Sequence, residues 1–318
     1  MSKSDDAPVV AQASARSMTG AEWSMLLVLS VLWGGSFLFN GIALKEVPVF
    51  TIVAFRLTFG ALALHLVIRV SGITIPMDTR SVLGYLGMAL LNGALPFSLI
   101  AYGQTLIPSG LASILNATVP IFTMLLAHFL IAGEPLTGRR VIGVLLGFAG
   151  VVVLSAERAF GGAGEWIGFL ACIAAALSYA LSNMVGRRLM PPGANPIALA
   201  AGQLSVGALI ILPVAIVVDN PFAAPLPGLA SFFALIMLAL VSTATAYILF
   251  FRLLALSGAT NASLVTLLIP CWSILLGTVF LGERLGLQEV GGFAVIALGL
   301  LVIDGRLVAL FRRKRVPD

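Results

Sequence analysis

The apolar residues of this chain are gathered into ten long runs separated by short polar connections. The runs lie at about 22–44, 48–70, 81–102, 106–131, 138–156, 166–187, 196–218, 229–252, 260–281 and 288–308. A helix crossing the hydrocarbon of a bilayer needs about 20 mostly apolar residues, because no water is present there to satisfy backbone groups. Each run therefore predicts one membrane-spanning helix. The connections carry turn residues: Glu46-Val47-Pro48, Gly133-Glu134-Pro135, Gly161-Gly162-Ala163-Gly164 and Pro191-Pro192-Gly193. The fourth and eighth runs are long enough to imply tilt or kinking. The first apolar run, Trp23 to Leu44, is too long for the roughly 7–15-residue core of a signal peptide and reads as a retained span.

Composition agrees with that reading. Of 318 residues, 60% are hydrophobic and 10% charged, whereas a soluble domain is about 25% charged. A soluble enzyme, a disordered chain and a nucleic-acid binder are disfavoured, and the net charge of +5 reads as Lys/Arg retained on one side of a membrane. With ten spans both termini share a side. The terminal side collects 14 Lys/Arg residues, the opposite side holds Lys45, Arg158 and Arg284, and Arg56 lies inside the second span. Positive charge stays cytoplasmic, so both ends are expected inside, in a cell inner (plasma) membrane. Cys172 and Cys271 sit in apolar runs and no metal-ligand spacing is found, so no metal or cofactor is expected.

A repeat of about 150 residues is the most informative pattern. Ala112-Ser113 aligns with Ala262-Ser263, Pro120 with Pro270, and Leu125-Leu126 with Leu275-Leu276. After a one-residue gap, Gly133-Glu134 aligns with Gly282-Glu283, Gly143 with Gly292 and Gly150 with Gly299. Five spans per unit is an odd number, so the second unit must be inverted relative to the first. The charges fit: Arg139 and Arg140 follow the first Gly-Glu, while Gln288 and Glu289 follow the second. The expected architecture is an all-α integral membrane protein of ten transmembrane helices in two inverted five-helix repeats, residues 22–156 and 166–308. The units are joined by a linker at 157–165 and flanked by an N-terminal tail (1–21) and a basic C-terminal tail (309–318). Inverted repeats of this kind build transporters with a substrate site near mid-membrane.

These features resemble a known family. Five-span units with Trp33-Gly34-Gly35-Ser36-Phe37 in the first helix are similar to the EamA-type ten-helix members of the drug/metabolite transporter superfamily. So are the Pro120 and Pro270 helices, each leading to a Gly-Glu turn and a Gly-rich fifth helix. The resemblance spans roughly residues 22–308 and is strongest to YddG-type exporters of aromatic and neutral amino acids. It implies a transporter rather than an enzyme, with amino acids as substrate.

None of the 13 acidic residues falls in the middle of a span, so a buried carboxylate is not expected to bind a coupling ion or a cation. Transport could be uncoupled. His65 and His128, near span ends, read as interfacial packing or as proton relays. Arg56 lies some 8 residues into its helix. The reading taken is that it pairs with helix-end carbonyls or snorkels outward, with contact to a substrate carboxylate as the alternative.

The expected cavity is lined instead by uncharged polar and aromatic residues at mid-depth. They are Trp33, Asn92, Tyr102, Asn116, Ser178, Tyr179, Ser182, Asn183, Ser242, Thr243, Thr245, Tyr247, Thr266 and Trp272. Amides and hydroxyls offer donors to a carboxylate and acceptors to an ammonium, and aromatic rings accommodate an apolar side chain. Polar residues can equally act as interhelical glue. Pro120 and Pro270 are expected to kink their helices as paired hinges. Gly143, Gly147, Gly150, Gly292 and Gly299 read as close helix contacts, including a dimer face in one reading. The functions that fit are export of neutral and aromatic amino acids by alternating access, export of drugs or other metabolites, or a membrane enzyme or assembly subunit. Partners are small-molecule substrate and lipid, with no nucleic acid, and the protein would be a monomer or homodimer.

Overall fold

The computed structural model describes residues 18–130, 137–156, 163–190 and 193–304, and within them every regular element is helical. Ten helical segments follow one another: α1 (Gly20–Ala43), α2 (Val49–Ser71), α3 (Thr79–Gln104), α4 (Ser109–Leu130), α5 (Gly138–Ala156), α6 (Ala163–Leu189), α7 (Pro196–Asp219), α8 (Leu229–Gly258), α9 (Val265–Leu281) and α10 (Leu287–Asp304). The protein is a multi-pass membrane protein. Seven of the segments are long and apolar enough to cross a bilayer alone, and α9 and α10 are shorter apolar helices. Leu66, Phe129, Val152, Leu209 and Val217 are more than half exposed on the outside of the bundle, as a lipid-facing belt requires. The predicted turns at 133–135 and 191–192, the linker at 157–162 and both charged tails lie outside the described residues.

Local sequence accounts for where helices begin. Thr19 and Glu22 form a capping box on α1: the Thr19 N–H donates to Glu22 Oε2 at 2.7 Å and the Glu22 N–H to Thr19 Oγ1 at 3.3 Å. Asp78 caps α3 and Asn195 caps α7, each accepting a backbone N–H of the first turn. Gly72 ends α2 in the left-handed region at φ 64°.

At the end of the bundle opposite Gly20 the capping is done from other helices. Asp219 Oδ2, closing α7, accepts the Thr51 N–H (2.7 Å) and hydroxyl (2.9 Å) of α2. Glu46 accepts the Gly228 N–H before α8 at 2.8 Å. Glu283, just after α9, accepts the Ser109 N–H and hydroxyl, both at 2.8 Å, and the Gly110 N–H at 3.2 Å. At the Gly20 end, Arg80 and Arg188 donate to the carbonyls of Arg188 and Leu130. Each bond joins helix ends that an alternating up-and-down path brings to one face.

The inversion is visible where the halves meet. Gly143 lies against the Gly299 carbonyl, and Gly150 against Gly292, so α5 and α10 cross antiparallel with backbones in contact. The glycine faces are therefore spent within one chain, which corrects the dimer-face reading. Other pairings repeat with the five-helix offset: α1 packs on α9 as α6 packs on α4, and α2 packs on α7. Three apolar clusters result among the described residues, one around α1, α4, α9 and α10, one around α2 and α7, and a smaller one where Ile52 of α2 meets Leu235 and Leu238 of α8; the Tyr179 ring packs against the first two.

The proline kinks are not matched. Span α4 is interrupted between Asn116 and Val119, and Pro120 stands in the first turn of its second half, where a missing N–H costs little. Pro270 instead lies inside the continuous helix Val265–Leu276. The two prolines align in sequence, yet their helices differ in shape.

Candidate functional site

The middle of the bundle is shaped by two π-helical stretches, Leu90–Ala94 in α3 and Met237–Thr245 in α8, at matching positions of the two repeats. A π turn adds a residue to the helix and turns the following side chains to a new face. Pro96, which sequence reasoning left unassigned, stands just after the first, where it has no amide to donate back along the helix. In the second, the Thr243 hydroxyl donates to the Leu238 carbonyl five residues back, at 2.8 Å.

These turns bring together side chains from five helices. Asn92 Nδ2 and Gln203 Nε2 donate to the Tyr247 hydroxyl at 3.1 and 3.2 Å. Ser182 donates to the Tyr179 carbonyl at 2.7 Å and lies 3.4 Å from Asn92 Oδ1. Ser178 donates to the Leu91 carbonyl at 2.8 Å, tying α6 to the π turn of α3. Against this group lies Arg56. Its Nε donates to Thr243 Oγ1 at 2.8 Å and its guanidinium carbon sits 3.8 Å above the centre of the Phe97 ring. Phe97 meets Tyr179 edge to face, 6.4 Å between centres. The phenols of Tyr179 and Tyr247 are further electrostatic neighbours of the guanidinium.

Arg56 overturns two expectations. It is buried rather than snorkelling outward, it reaches no helix-end carbonyl among the described residues, and the mid-depth polar group is not uncharged. Gln203 and Phe97 were missed as well. A lone glutamine inside the apolar run of the seventh span was a signal for the first. Nothing in the sequence separated Phe97 from 18 other phenylalanines.

Of the expected lining residues, Asn92, Ser178, Tyr179, Ser182, Thr243 and Tyr247 come together here. Others are placed elsewhere. Tyr102 and Thr245 are exposed, and no hydrogen bond joins either to the cluster. Thr245 donates to the Leu240 carbonyl of its own helix, and Thr266 to the Ser263 carbonyl in the turn before α9. Trp33 packs on Phe250 of α8 with 5.3 Å between ring centres, and Trp272 of α9 abuts Gly34 of α1, so the two serve the α1–α8 and α1–α9 contacts. Asn183 is exposed and donates to Thr123. Asn116 Oδ1 and the Ser242 hydroxyl are buried with no hydrogen-bond partner among the described residues. His65 is exposed, 2.8 Å from the Ser205 hydroxyl.

Among the described residues no group of three or more His, Cys, Asp or Glu is placed to hold a metal ion. The described acidic groups outside the spans act as caps. The Ser231 hydroxyl and then the Gly228 N–H hold Glu46 below its usual carboxylate range. The Ser81 hydroxyl and then its N–H do the same for Asp78.

Comparison with known proteins gives two consecutive matches to one family, over residues 22–156 and 166–304, one for each five-helix unit. The chain belongs to the EamA-like transporter family. Among relatives of this EamA-like protein, the "Probable amino-acid metabolite efflux pump" of Escherichia coli (strain K12) is 28% identical over 295 residues, covering 90% of this chain and 95% of that protein. The "Uncharacterized transporter YvbV" of Bacillus subtilis (strain 168) is 29% identical over 283 residues, 88% of this chain and 90% of that one. A solved crystal structure shares the fold, with a TM-score of 0.63 and 20% identity, over 89% of this chain and 96% of the other. Family and relatives are transporters rather than enzymes.

Proposed function

We propose that this EamA-like protein exports neutral and aromatic amino acids across a cell inner membrane by alternating access. The carrying observation is the buried polar cluster at mid-depth, built by both repeats: Arg56 and Asn92 from the first, Tyr179, Ser182, Gln203, Thr243 and Tyr247 from the second. An amphoteric solute needs donors and acceptors on opposite sides, and this group supplies both with aromatic walls beside them. The name of the Escherichia coli relative supports an amino-acid metabolite as cargo. The Lys/Arg distribution supports both termini in the cytoplasm.

In this reading one half rocks against the other about the glycine contact of α5 and α10. The carboxylate caps of Glu46, Asp219 and Glu283 hold one face closed and release as the opposite face closes. Pro120 and Pro270 serve as the bending points. With no acidic residue at mid-span, export runs down the substrate gradient without a carboxylate-bound coupling ion.

The test is efflux of preloaded labelled phenylalanine, tryptophan and threonine from proteoliposomes, with and without a pH gradient. Efflux above protein-free vesicles that does not depend on the gradient is expected. Tyr247→Phe removes the acceptor shared by Asn92 and Gln203, and each amide left unpaired costs about 1–3 kcal/mol. It should cut the rate while the protein elutes as a folded species. Wild-type efflux equal to protein-free vesicles for all three solutes would remove the proposal.

A further inference from the structure

Arg56 is a charge placed where charge is expensive. It is 8% exposed and begins seven residues into α2, about 10 Å along the helix. A guanidinium carries five N–H donors. Among the described residues one is committed, Nε to Thr243, and the Phe97 ring covers one face of the plane. The four donors on Nη1 and Nη2 have no side-chain or backbone acceptor there. The chain itself cannot supply a counter-charge, because all 13 Asp and Glu residues stand at span ends, in connections or in tails. Removing an ionised side chain from water without an ionic partner costs several kcal/mol, so a counter-ion entering with the cargo relieves a penalty already built into the fold.

We infer that Arg56 is the carboxylate-recognition residue of the central site, so that every transported solute carries one carboxylate group. This rests on the transport reading above. Three features argue for carboxylate over other chemistries. The free edge of the guanidinium presents parallel N–H groups matched to the two oxygens of a carboxylate. The cluster contains one cation and no acid, so it balances a single negative charge and underneutralises a phosphate dianion. The same uncompensated charge repels ammonium groups that lack a carboxylate, which excludes simple amines and cationic drugs. Phe97 and Thr243 act as positioning residues: the ring sets the plane of the fork, and the hydroxyl, itself anchored to the Leu238 carbonyl, sets its rotation.

The test uses matched probes on the full-length protein in detergent, read as ligand-induced shifts in thermal unfolding, and the same probes as competitors of labelled phenylalanine efflux from proteoliposomes. Phenylalanine, leucine and 3-phenylpropanoate are expected to stabilise the wild type. Phenylalaninamide and phenethylamine, which keep the ring and the amine but lose the carboxylate, are expected to bind at least ~10-fold more weakly, as loss of hydrogen bonds to a charged group implies. Arg56→Gln should abolish the preference, and Arg56→Lys, which keeps charge but not the fork, should retain part of it. If either variant fails to fold, the wild-type panel decides alone. Amide or amine binding as tightly as the acid, or no shift with any of the three carboxylates, overturns the assignment. Efflux that phenylalaninamide inhibits as well as phenylalanine does would keep transport and overturn Arg56. Carboxylate-selective binding without efflux would keep Arg56 and remove the transport reading.

Discussion

The contact between α5 and α10 can be tested with two substitutions on one helix. Gly299 is buried, and a methyl group there would lie 2.7 Å from the Gly143 carbonyl oxygen and 2.9 Å from the Gly147 nitrogen. Both neighbours are backbone and cannot rotate away, so the helices must separate by about 0.5–0.7 Å to restore ordinary contact. A gap of that size forfeits roughly a quarter to a half of the dispersion energy of each atom lining it, and overpacking of this kind costs about 1–3 kcal/mol. Gly291, two turns away, is exposed with nothing within 4 Å of the added carbon. Both Gly299→Ala and Gly291→Ala gain about 1 kcal/mol in helix propensity. The difference between them therefore isolates the packing cost, at about 1–3 kcal/mol in favour of Gly291→Ala. Unfolding of each variant by SDS titration, followed by far-UV circular dichroism, measures it. The reasoning fails if Gly299→Ala is as stable as Gly291→Ala.

Two further outcomes follow from the caps. Glu283→Ala leaves the Ser109 and Gly110 amides without their acceptor, at about 1–3 kcal/mol; hydrogen exchange at these amides should accelerate while that of α2 amides is unchanged, and uniform exchange would contradict the latch. Glu46 and Asp78 are held below ordinary values of 4.5 and 3.8. Carboxylates with depressed folded values stabilise the fold fully above the unfolded values and lose that contribution as pH falls through the folded ones. Thermal stability should therefore decline below about pH 4.5, and the decline should be shallower in Glu46→Gln and Asp78→Asn; an identical pH profile in both variants would exclude these two groups as its source.

The ten spans were legible because lipid imposes a one-dimensional rule. The predicted run 138–156 coincides with α5, and most boundaries differ by three residues or fewer. The end of α8 is the main departure: helical structure runs past Arg252, where the run was ended, through Leu253–Leu256 to Gly258, whose φ of 79° bends the chain. Depth was legible too, since position within a run measures distance through the bilayer. The direction in which a side chain points was not. Thr245 has suitable depth but the wrong face, because it sits within a π stretch that shifts the register on which a 3.6-residue count depends, whereas Tyr102 closes the third run at its end. Arg56 was read as a solitary charge because its two partners, Phe97 and Thr243, lie on other spans, the latter 187 residues away.

What the chain alone determined is what the bilayer reads directly: the number and length of its spans, their alternation, the inverted duplication and the glycines that let α5 and α10 touch. Those follow from local apolarity and from residue identities that recur in order. Only the folded bundle decided which polar groups share one chamber, that a guanidinium lies at its heart, and that paired prolines bend their helices differently. Such contacts depend on helix azimuth and on neighbours distant in sequence, and both are products of packing rather than of composition.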